Sequence, residues 1–192
     1  MKNAFILHGT NGFPTENWFD WLKQELEKKS WQVFVPQLPD CDRPNIKTYN
    51  EFLLKEKHYQ FNEESILIGH SSGAVAIFGL LQVLPDSVKV DTCYLVGAFK
   101  DNLNWDSLSG LFEEPFNFAK IKNKAKRFVF IHSDNDPYCP LEHAEYLAKE
   151  LDGELVIKEG QKHFSVGTFG EEYRKFPFLL ELIEKGQHAT KK

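Results

Sequence analysis

The sequence predicts an α/β fold in which a mostly parallel six-stranded sheet lies between two layers of helices. Two observations support this prediction. Six short runs of apolar and β-branched residues recur along the 192 residues, and segments with helical periodicity separate most of them. Because parallel neighbours need a crossover connection, usually a helix, this alternation favours a three-layer sandwich whose strands are buried on both faces.

The predicted elements alternate along the whole chain. The apolar runs predict strands over residues 3–7, 32–35, 65–69, 92–96, 127–133 and 154–158. Apolar residues at helical spacing predict helices over residues 16–29, 48–59, 72–83, 141–151 and 173–186. The long connection 97–126 has no clear period and is a candidate lid.

Length and composition favour one globular domain over residues 1–186, followed by a flexible tail over residues 187–192. Apolar residues make up 42% and aromatic residues 14% of the chain, which argues against disorder. The sequence contains no internal repeat and no linker rich in Gly and Ser. A monomer and a small homo-oligomer are both compatible with this composition.

Charge and cysteine usage exclude several classes of function. The net charge is -5 and basic residues form no stripe, so we expect no nucleic-acid partner. No apolar run approaches the length of a membrane span, and the N-terminal run is too short for a signal peptide, so we expect a cytoplasmic protein. Cys41, Cys93 and Cys139 are odd in number and widely spaced, which predicts free thiols and no metal site.

The motif Gly69-His70-Ser71-Ser72-Gly73 lies between a predicted strand and a predicted helix. This is the order of a nucleophile elbow, in which small residues leave room for a serine on a sharp, strained turn. The turn would present Ser71 at the N-terminus of the helix, where developing negative charge is stabilised. We therefore predict Ser71 as a nucleophile; the alternative is that it only caps the helix.

A serine nucleophile needs a histidine base and an acid that orients the base, which follow it in the order acid and then histidine in this class of fold. Of the four histidines after Ser71, His163 is the one that follows the last predicted strand in a loop. The loop after the preceding strand carries Asp134 and Asp136. Asp136 is the predicted acid because Pro137 favours an extended conformation before it, whereas Asp134 is placed to serve the turn.

The loop after the first strand, residues 8–12, occupies the place of an oxyanion loop. We predict that the backbone N–H of Thr10 or Asn11 stabilises the oxyanion together with the N–H of Ser72. The glycines of this loop match neither a P-loop nor a dinucleotide fingerprint, so no cofactor is predicted. His8 is interpreted as a buried residue that holds the loop.

Aromatic residues near the predicted loops supply candidate substrate contacts. The predicted contacts are Trp105, Phe112, Phe116, Tyr138 and Phe164. The apolar side chains of the long connection could line a pocket from above, or could only pack an irregular loop onto the core. The sequence leaves both alternatives open.

These motifs together resemble the small serine-hydrolase family that includes retinoblastoma-binding protein 9 and bacterial YdeN-type proteins. The resemblance extends over nearly the whole chain and includes His8-Gly9, Trp18, Trp21-Leu22, the elbow, Ser109-Gly110-x-Phe112-x-x-Pro115-Phe116, Asp134-x-Asp136-Pro137-Tyr138 and His163-Phe164. Two departures are visible. Lys162 stands where such proteins usually have Gly, and a Leu-x-Cys-x-Glu motif for retinoblastoma binding is absent.

The resemblance implies a minimal α/β-hydrolase fold with strand order 2-1-3-4-5-6, no separate cap domain and a triad of Ser71, Asp136 and His163. The function expected from this triad is hydrolysis of a small ester or amide, with an ester preferred. Two alternatives stay open: a catalytically quiet scaffold that binds a protein partner, and a different reaction on the same scaffold.

Overall fold

The computed structural model describes residues 1–55 and 60–189, and its centre is a six-stranded parallel sheet. The strand order is β2-β1-β3-β4-β5-β6. The strands are β1 (Asn3–Leu7), β2 (Gln32–Phe34), β3 (Ser65–His70), β4 (Val90–Val96), β5 (Ala125–Ser133) and β6 (Glu154–Lys158). The predicted three-layer α/β fold and its strand order are therefore confirmed.

Helices cover both faces of this sheet. They are α1 (Phe19–Glu27), α2 (Ile46–Lys55), α3 (Ser72–Val83), α4 (Phe118–Lys122), α5 (Leu141–Glu150) and α6 (Pro177–Ala189). Side chains of α1 and α6 pack in one apolar cluster, and those of α2 to α5 pack in a second cluster across the sheet. The inner strands β1, β3 and β4 are buried along their whole length, which explains their continuous apolar runs.

Helix α3 is buried from Ser72 to Leu81. A helix that is apolar all round belongs in the interior, and the run Ala74 to Phe78 has this composition. Because β3 lies in the middle of the sheet and α3 follows it directly, the turn at Ser71 is held between two buried elements. The fold therefore fixes this turn more firmly than a surface loop would be fixed.

The structure differs from the sequence predictions mainly where elements are short. The connection 97–126 contains a 3-10 helix (Asp106–Leu111) and α4, whose few residues give no measurable periodicity. The last predicted helix begins later, at Pro177, after a separate 3-10 helix (Glu171–Arg174). It extends to Ala189, three residues into the predicted tail. Residues 190–192, and residues 56–59 of the second predicted helix, lie outside the described residues.

The three cysteines, Cys41, Cys93 and Cys139, are free thiols, as predicted. Over residues 1–55 and 60–189, no helix has the length and apolar character needed to span a bilayer.

Candidate active site

Ser71 occupies the sharp turn between β3 and α3. Its backbone angles are φ 56° and ψ -125°, a strained conformation for a residue with a side chain. The N–H of Ser71 donates to the carbonyl of Val96 at 2.8 Å, which anchors the turn to the end of β4. Strain of this kind persists only where the surroundings hold it, and here two buried elements do so.

The two glycines of the elbow are required by backbone packing. A Cβ atom on Gly69 would lie 2.5 Å from the Cα of Ala74, within the first turn of α3. A Cβ on Gly73 would lie 2.3 Å from the carbonyl oxygen of Leu7. Both contacts are with backbone atoms, so neither can be relieved by a side-chain movement. The glycine spacing of the motif thus reflects the close approach of α3 to β1 and β3.

Asp136 and His163 form a direct pair. His163 Nδ1 donates to Asp136 Oδ2 at 2.7 Å, because a carboxylate can only accept and the ring must therefore carry its proton on Nδ1. The side chain of Asp136 is fully buried and that of His163 is 7% exposed. Asp136 Oδ1 accepts from the N–H groups of Tyr138 and Cys139 at 2.9 Å and 3.0 Å. The carboxylate thus accepts hydrogen bonds from two backbone N–H groups of its own loop and from the histidine ring.

This arrangement keeps Asp136 ionised. Burial alone would raise the pKa of its carboxyl, but the hydrogen bond and the charge of His163, followed by the two backbone N–H groups, together lower it. An ionised Asp136 favours the Nδ1–H form of His163, which leaves Nε2 of that ring as an acceptor. This unprotonated Nε2 is the atom that would accept a proton if His163 acts as a base.

Ser71 and His163 line one cavity of about 330 Å³ at the carboxyl ends of the strands. Gly97, which directly follows β4, makes room for the ring of His163: its φ is 62°, and a Cβ there would lie 3.0 Å from Cε1 of His163. Gly97 did not figure among the predicted site residues. A glycine directly after a strand was its only signal in the sequence.

The loops that carry Asp136 and His163 are fastened to each other. Asp134 Oδ1 accepts from Gly160 N–H at 2.7 Å, and Asn135 Oδ1 accepts from Lys162 N–H at 2.8 Å. Asp134 therefore joins the two loops rather than serving only its own turn. Lys162 has φ 50°, a left-handed conformation that favours glycine. The hydrogen bond that the N–H of Lys162 donates to Asn135 Oδ1 helps to hold the loop in that conformation.

The structure shows which of the predicted oxyanion donors are already hydrogen-bonded within the protein. The N–H of Asn11 donates to the carbonyl of Cys41 at 2.9 Å, so it is not available to a substrate and the prediction for Asn11 is corrected. Within the described residues, no acceptor is paired with the N–H of Thr10 or of Ser72. Thr10 Oγ1 also donates to Ser72 Oγ at 2.9 Å, which ties the loop after β1 to the start of α3.

The predicted substrate contacts divide into two groups. Trp105 and Tyr138 line the cavity and meet edge to face, with ring centroids 5.8 Å apart. Phe112 and Phe116 do not line it, because they pack with each other on the core beneath the long connection. Phe164 is also excluded: its ring is fully buried in the cluster on the opposite face. The predictions for these three phenylalanines are therefore wrong.

Leu108 is one of the apolar side chains of the long connection that could line a pocket, and it lines this cavity. The other residues described below are not among the predicted contacts. Phe99, Leu103 and Leu108 extend the apolar wall formed by Trp105 and Tyr138. Polar residues also line the cavity, among them Glu16, Asn17, Ser165 and Thr168. Burial raises the pKa of Glu16, and the N–H of Phe13 and the charge of Arg174 offset part of this rise. These positions come from loops far apart in sequence, so no local pattern identifies them.

One group of potential metal ligands lies in the described residues, and it coincides with the Asp136–His163 pair. Ligand atoms of Asp136, Cys139 and His163 lie within 4.8 Å of one another. Asp136 and His163 are already bonded to each other, and burial raises the pKa of the Cys139 thiol well above its ordinary value. A protonated thiol is a poor ligand, so the geometry suits an acid and base pair better than a metal ion.

Three buried histidines outside the pair, His8, His70 and His132, make the fold sensitive to acid. Burial lowers the pKa of each ring, and that of His70 falls to about 3. In an unfolded chain these rings bind protons near the ordinary pKa of 6.5. Because the folded chain takes up those protons only at lower pH, unfolding becomes more favourable as the pH falls below that value.

We therefore expect the free energy of unfolding to decrease between about pH 7.5 and about pH 5.5, with most of the loss below pH 6.5. Each buried ring contributes up to about 1.4 kcal/mol per pH unit. The raised pKa of Glu16 has the opposite effect, because it increases the free energy of unfolding as the pH falls. The lowered pKa of Asp136 decreases the free energy of unfolding only at lower pH. Urea unfolding across this range measures the effect. A stability that stays constant over it would contradict the assignment of three unprotonated rings.

Similarity to known proteins extends over most of the chain. A family model described as serine hydrolase matches residues 4–183. The chain is 28% identical over 182 residues to serine hydrolase RBBP9 of Rattus norvegicus, a match that covers 92% of this chain and 95% of that protein. It is 27% identical over 183 residues to the YdeN protein of Bacillus subtilis (strain 168), covering 95% and 94% of the two chains.

The solved structure of the ydeN gene product from B. subtilis has the same fold. It superimposes with a TM-score of 0.90 at 25% identity and covers 98% of this chain and 100% of its own. A match of this extent includes all six strands and the loops that follow them.

Proposed function

Because the chain belongs to the serine hydrolase family, as its motifs predict, we propose that it hydrolyses small carboxylic esters through an acyl-enzyme on Ser71. The observation that carries this proposal is the 2.7 Å bond between His163 Nδ1 and Asp136 Oδ2, in a cavity that Ser71 also lines. A buried carboxylate paired with a histidine beside a strained serine is the arrangement that activates a serine hydroxyl.

In the first step Ser71 Oγ attacks the ester carbonyl and His163 Nε2 takes the hydroxyl proton. The imidazolium that forms is stabilised by Asp136, which stays ionised. Negative charge moves to the carbonyl oxygen, and the N–H groups of Thr10 and Ser72 are the proposed donors to it. His163 then gives its proton to the departing alcohol, and the acyl group remains on Ser71.

In the second step water attacks the acyl-enzyme and His163 acts as base again. The acid product leaves when the proton returns to Ser71 Oγ, so the enzyme is regenerated and atoms balance over one ester and one water. No cofactor is required for either step. An alcohol is a better leaving group than an amine, so esters are the proposed substrates in preference to amides.

The shape of the cavity supports small substrates with one apolar side. Its volume of about 330 Å³ lies at the small end of ligand sites. Trp105, Tyr138 and Leu108 form part of the apolar wall of the cavity that Ser71 also lines. We propose that this wall receives an apolar or aromatic group of the ester.

A fluorophosphonate probe tests the proposal, since it reacts covalently with activated serines. We expect the wild-type protein to be labelled and Ser71→Ala to lose labelling completely. Ser87→Ala is the matched control, because Ser87 is exposed, precedes the start of β4 and does not line the cavity. It should label like wild type.

The same experiment decides against the proposal if folded wild-type protein is not labelled. That result would favour the alternative of a quiet scaffold that binds a partner. Labelling that persists in Ser71→Ala would move the nucleophile to another serine. A panel of p-nitrophenyl esters and aminoacyl amides then distinguishes ester from amide hydrolysis.

A further inference from the structure

Three histidines that the proposed mechanism does not use are buried around the cavity. His8 directly follows β1, His70 is the last residue of β3, and His132 lies near the end of β5. Their exposed fractions are 0%, 4% and 0%. Burying an imidazole is costly unless its polar atoms are paired, so each ring calls for an explanation.

The ring of His70 is bonded to the backbone of the proposed base. His70 Nε2 lies 2.8 Å from the carbonyl oxygen of His163. A carbonyl oxygen can only accept, so the proton of His70 is on Nε2. The two rings lie close together, with centroids 4.8 Å apart, and the rings of Trp18 and Phe19 also pack against His70. Among the described residues, the one hydrogen bond found for this ring goes to the backbone of His163.

The ring of His132 has the same relation to the acid. His132 Nε2 lies 2.8 Å from the carbonyl oxygen of Cys139 and must also carry its proton there. The N–H of Cys139 in turn donates to Asp136 Oδ1 at 3.0 Å. His132 therefore fixes the peptide segment that holds the carboxylate.

The ring of His8 holds the loop that contains the proposed oxyanion donor. Its Nε2 accepts from the N–H of Leu38 at 3.0 Å, so the proton is on Nδ1, which donates to the carbonyl of Gly9 at 2.8 Å. Gly9 immediately precedes Thr10. This histidine is in the opposite tautomer from the other two, as its partners require.

One histidine N–H is therefore assigned to each of the three loops that meet at Ser71. We propose that His8, His70 and His132 are positioning residues, each of which sets one catalytic loop by donating its single N–H to a backbone carbonyl. This inference rests on the proposed function, because it assigns the loops their roles in ester hydrolysis. Burial lowers the pKa of all three rings, which keeps them uncharged beside a base that must itself take up a proton.

The effect on the reaction follows from geometry. A displacement of about 1 Å in a reacting group can cost on the order of 100-fold in rate. Loss of the bond to the His163 carbonyl frees the residue whose ring must reach both Asp136 and Ser71. His8 and His132 do not line the cavity, and His70, which does, is only 4% exposed, so kcat should fall while KM changes little.

Paired substitutions test whether the donated N–H is what matters. Leucine in place of His70 or His132 removes the donor, whereas glutamine can put an amide N–H near the position of Nε2. With p-nitrophenyl acetate as the probe, we expect kcat to fall about 10-fold to 100-fold in His70→Leu and His132→Leu. The KM should stay within about 3-fold. His70→Gln and His132→Gln should recover most of the lost rate.

His143→Leu is the control for removal of a histidine, because His143 does not line the cavity and should leave kcat unchanged. Leucine variants that are folded and keep wild-type kcat would overturn the proposal. So would glutamine variants that are folded and as slow as the leucine variants, since the role would then be packing alone. If the leucine variants do not fold, the folded glutamine variants are compared with the wild type. A kcat near that of the wild type supports the proposal, and a kcat as low as that expected of the leucine variants overturns it.

A measurement without turnover separates this inference from the proposed function. Nitrogen-15 NMR of the wild-type imidazoles should find His70 and His132 as Nε2–H tautomers and His8 as the Nδ1–H tautomer at neutral pH. Other tautomers, or rings that titrate near pH 6.5, would overturn the inference even in an active enzyme. The expected tautomers in a protein that no fluorophosphonate labels would instead refute the proposed hydrolysis and leave the loop bonds in place.

Discussion

Asp136→Asn should lower kcat for ester hydrolysis by about 1,000-fold to 10,000-fold while the protein stays folded. An asparagine can keep its Oδ1 as the acceptor for the N–H groups of Tyr138 and Cys139. Its amide NH₂ group would then face Nδ1 of His163, so two donors would meet. His163 would change to the Nε2–H tautomer, and the nitrogen that must accept the serine proton would no longer be free.

Asp134→Asn is the matched control for this prediction. Asp134 is a carboxylate in the same loop whose Oδ1 accepts from Gly160 N–H, and asparagine preserves that acceptor. Its kcat should remain close to wild type. Steady-state kinetics of both variants, with urea unfolding to confirm folding, measure the difference. Equal losses in the two variants would indicate a general effect on the loop and would contradict a specific role for Asp136.

Gly73→Ala should have the largest effect on stability of any single methyl addition at the elbow. The new Cβ would meet the carbonyl oxygen of Leu7 at 2.3 Å, and Gly73 and Leu7 are both buried. Relief requires α3 to move away from β1. Overpacking commonly costs about 1–3 kcal/mol, and a contact between two fixed backbones should reach roughly 3 kcal/mol or more. We expect Ser71 to lose its reactivity in any molecules that fold.

Gly167→Ala provides the comparison for stability. A Cβ on Gly167 meets nothing within 4 Å, so the free energy of unfolding should change by less than about 0.5 kcal/mol. Urea unfolding of both variants gives the two values. A Gly73→Ala protein as stable as wild type would show that the elbow is less tightly packed than the structure indicates.

The sequence predicts the parts of the site that depend on order along the chain. The elbow at Ser71 is recognisable because a strand, a turn and a helix follow one another within a few residues. The loops of Asp136 and His163 come together because parallel strands end at one edge of the sheet. The family resemblance adds the strand order, which no local pattern contains.

The failures concern contacts made across the chain. Phe164 follows His163 directly, but its φ of 52° and the bond from Trp18 Nε1 to its carbonyl hold its ring in the apolar cluster that contains side chains of α1 and α6. Asn11 loses its donor to Cys41, which lies in the loop after β2. Neither partner is visible from the neighbouring sequence. Predictions of single loop residues therefore need the packing of several loops at once.

Ser71 is proposed as the one activated serine, and locating the adduct of the fluorophosphonate probe tests this assignment. Peptide mapping of the labelled wild-type protein should place the phosphonyl group on the peptide that contains Ser71, and on Ser71 within it. A label on Ser72, on Ser165 of the cavity wall, or spread over several serines would contradict the proposed nucleophile.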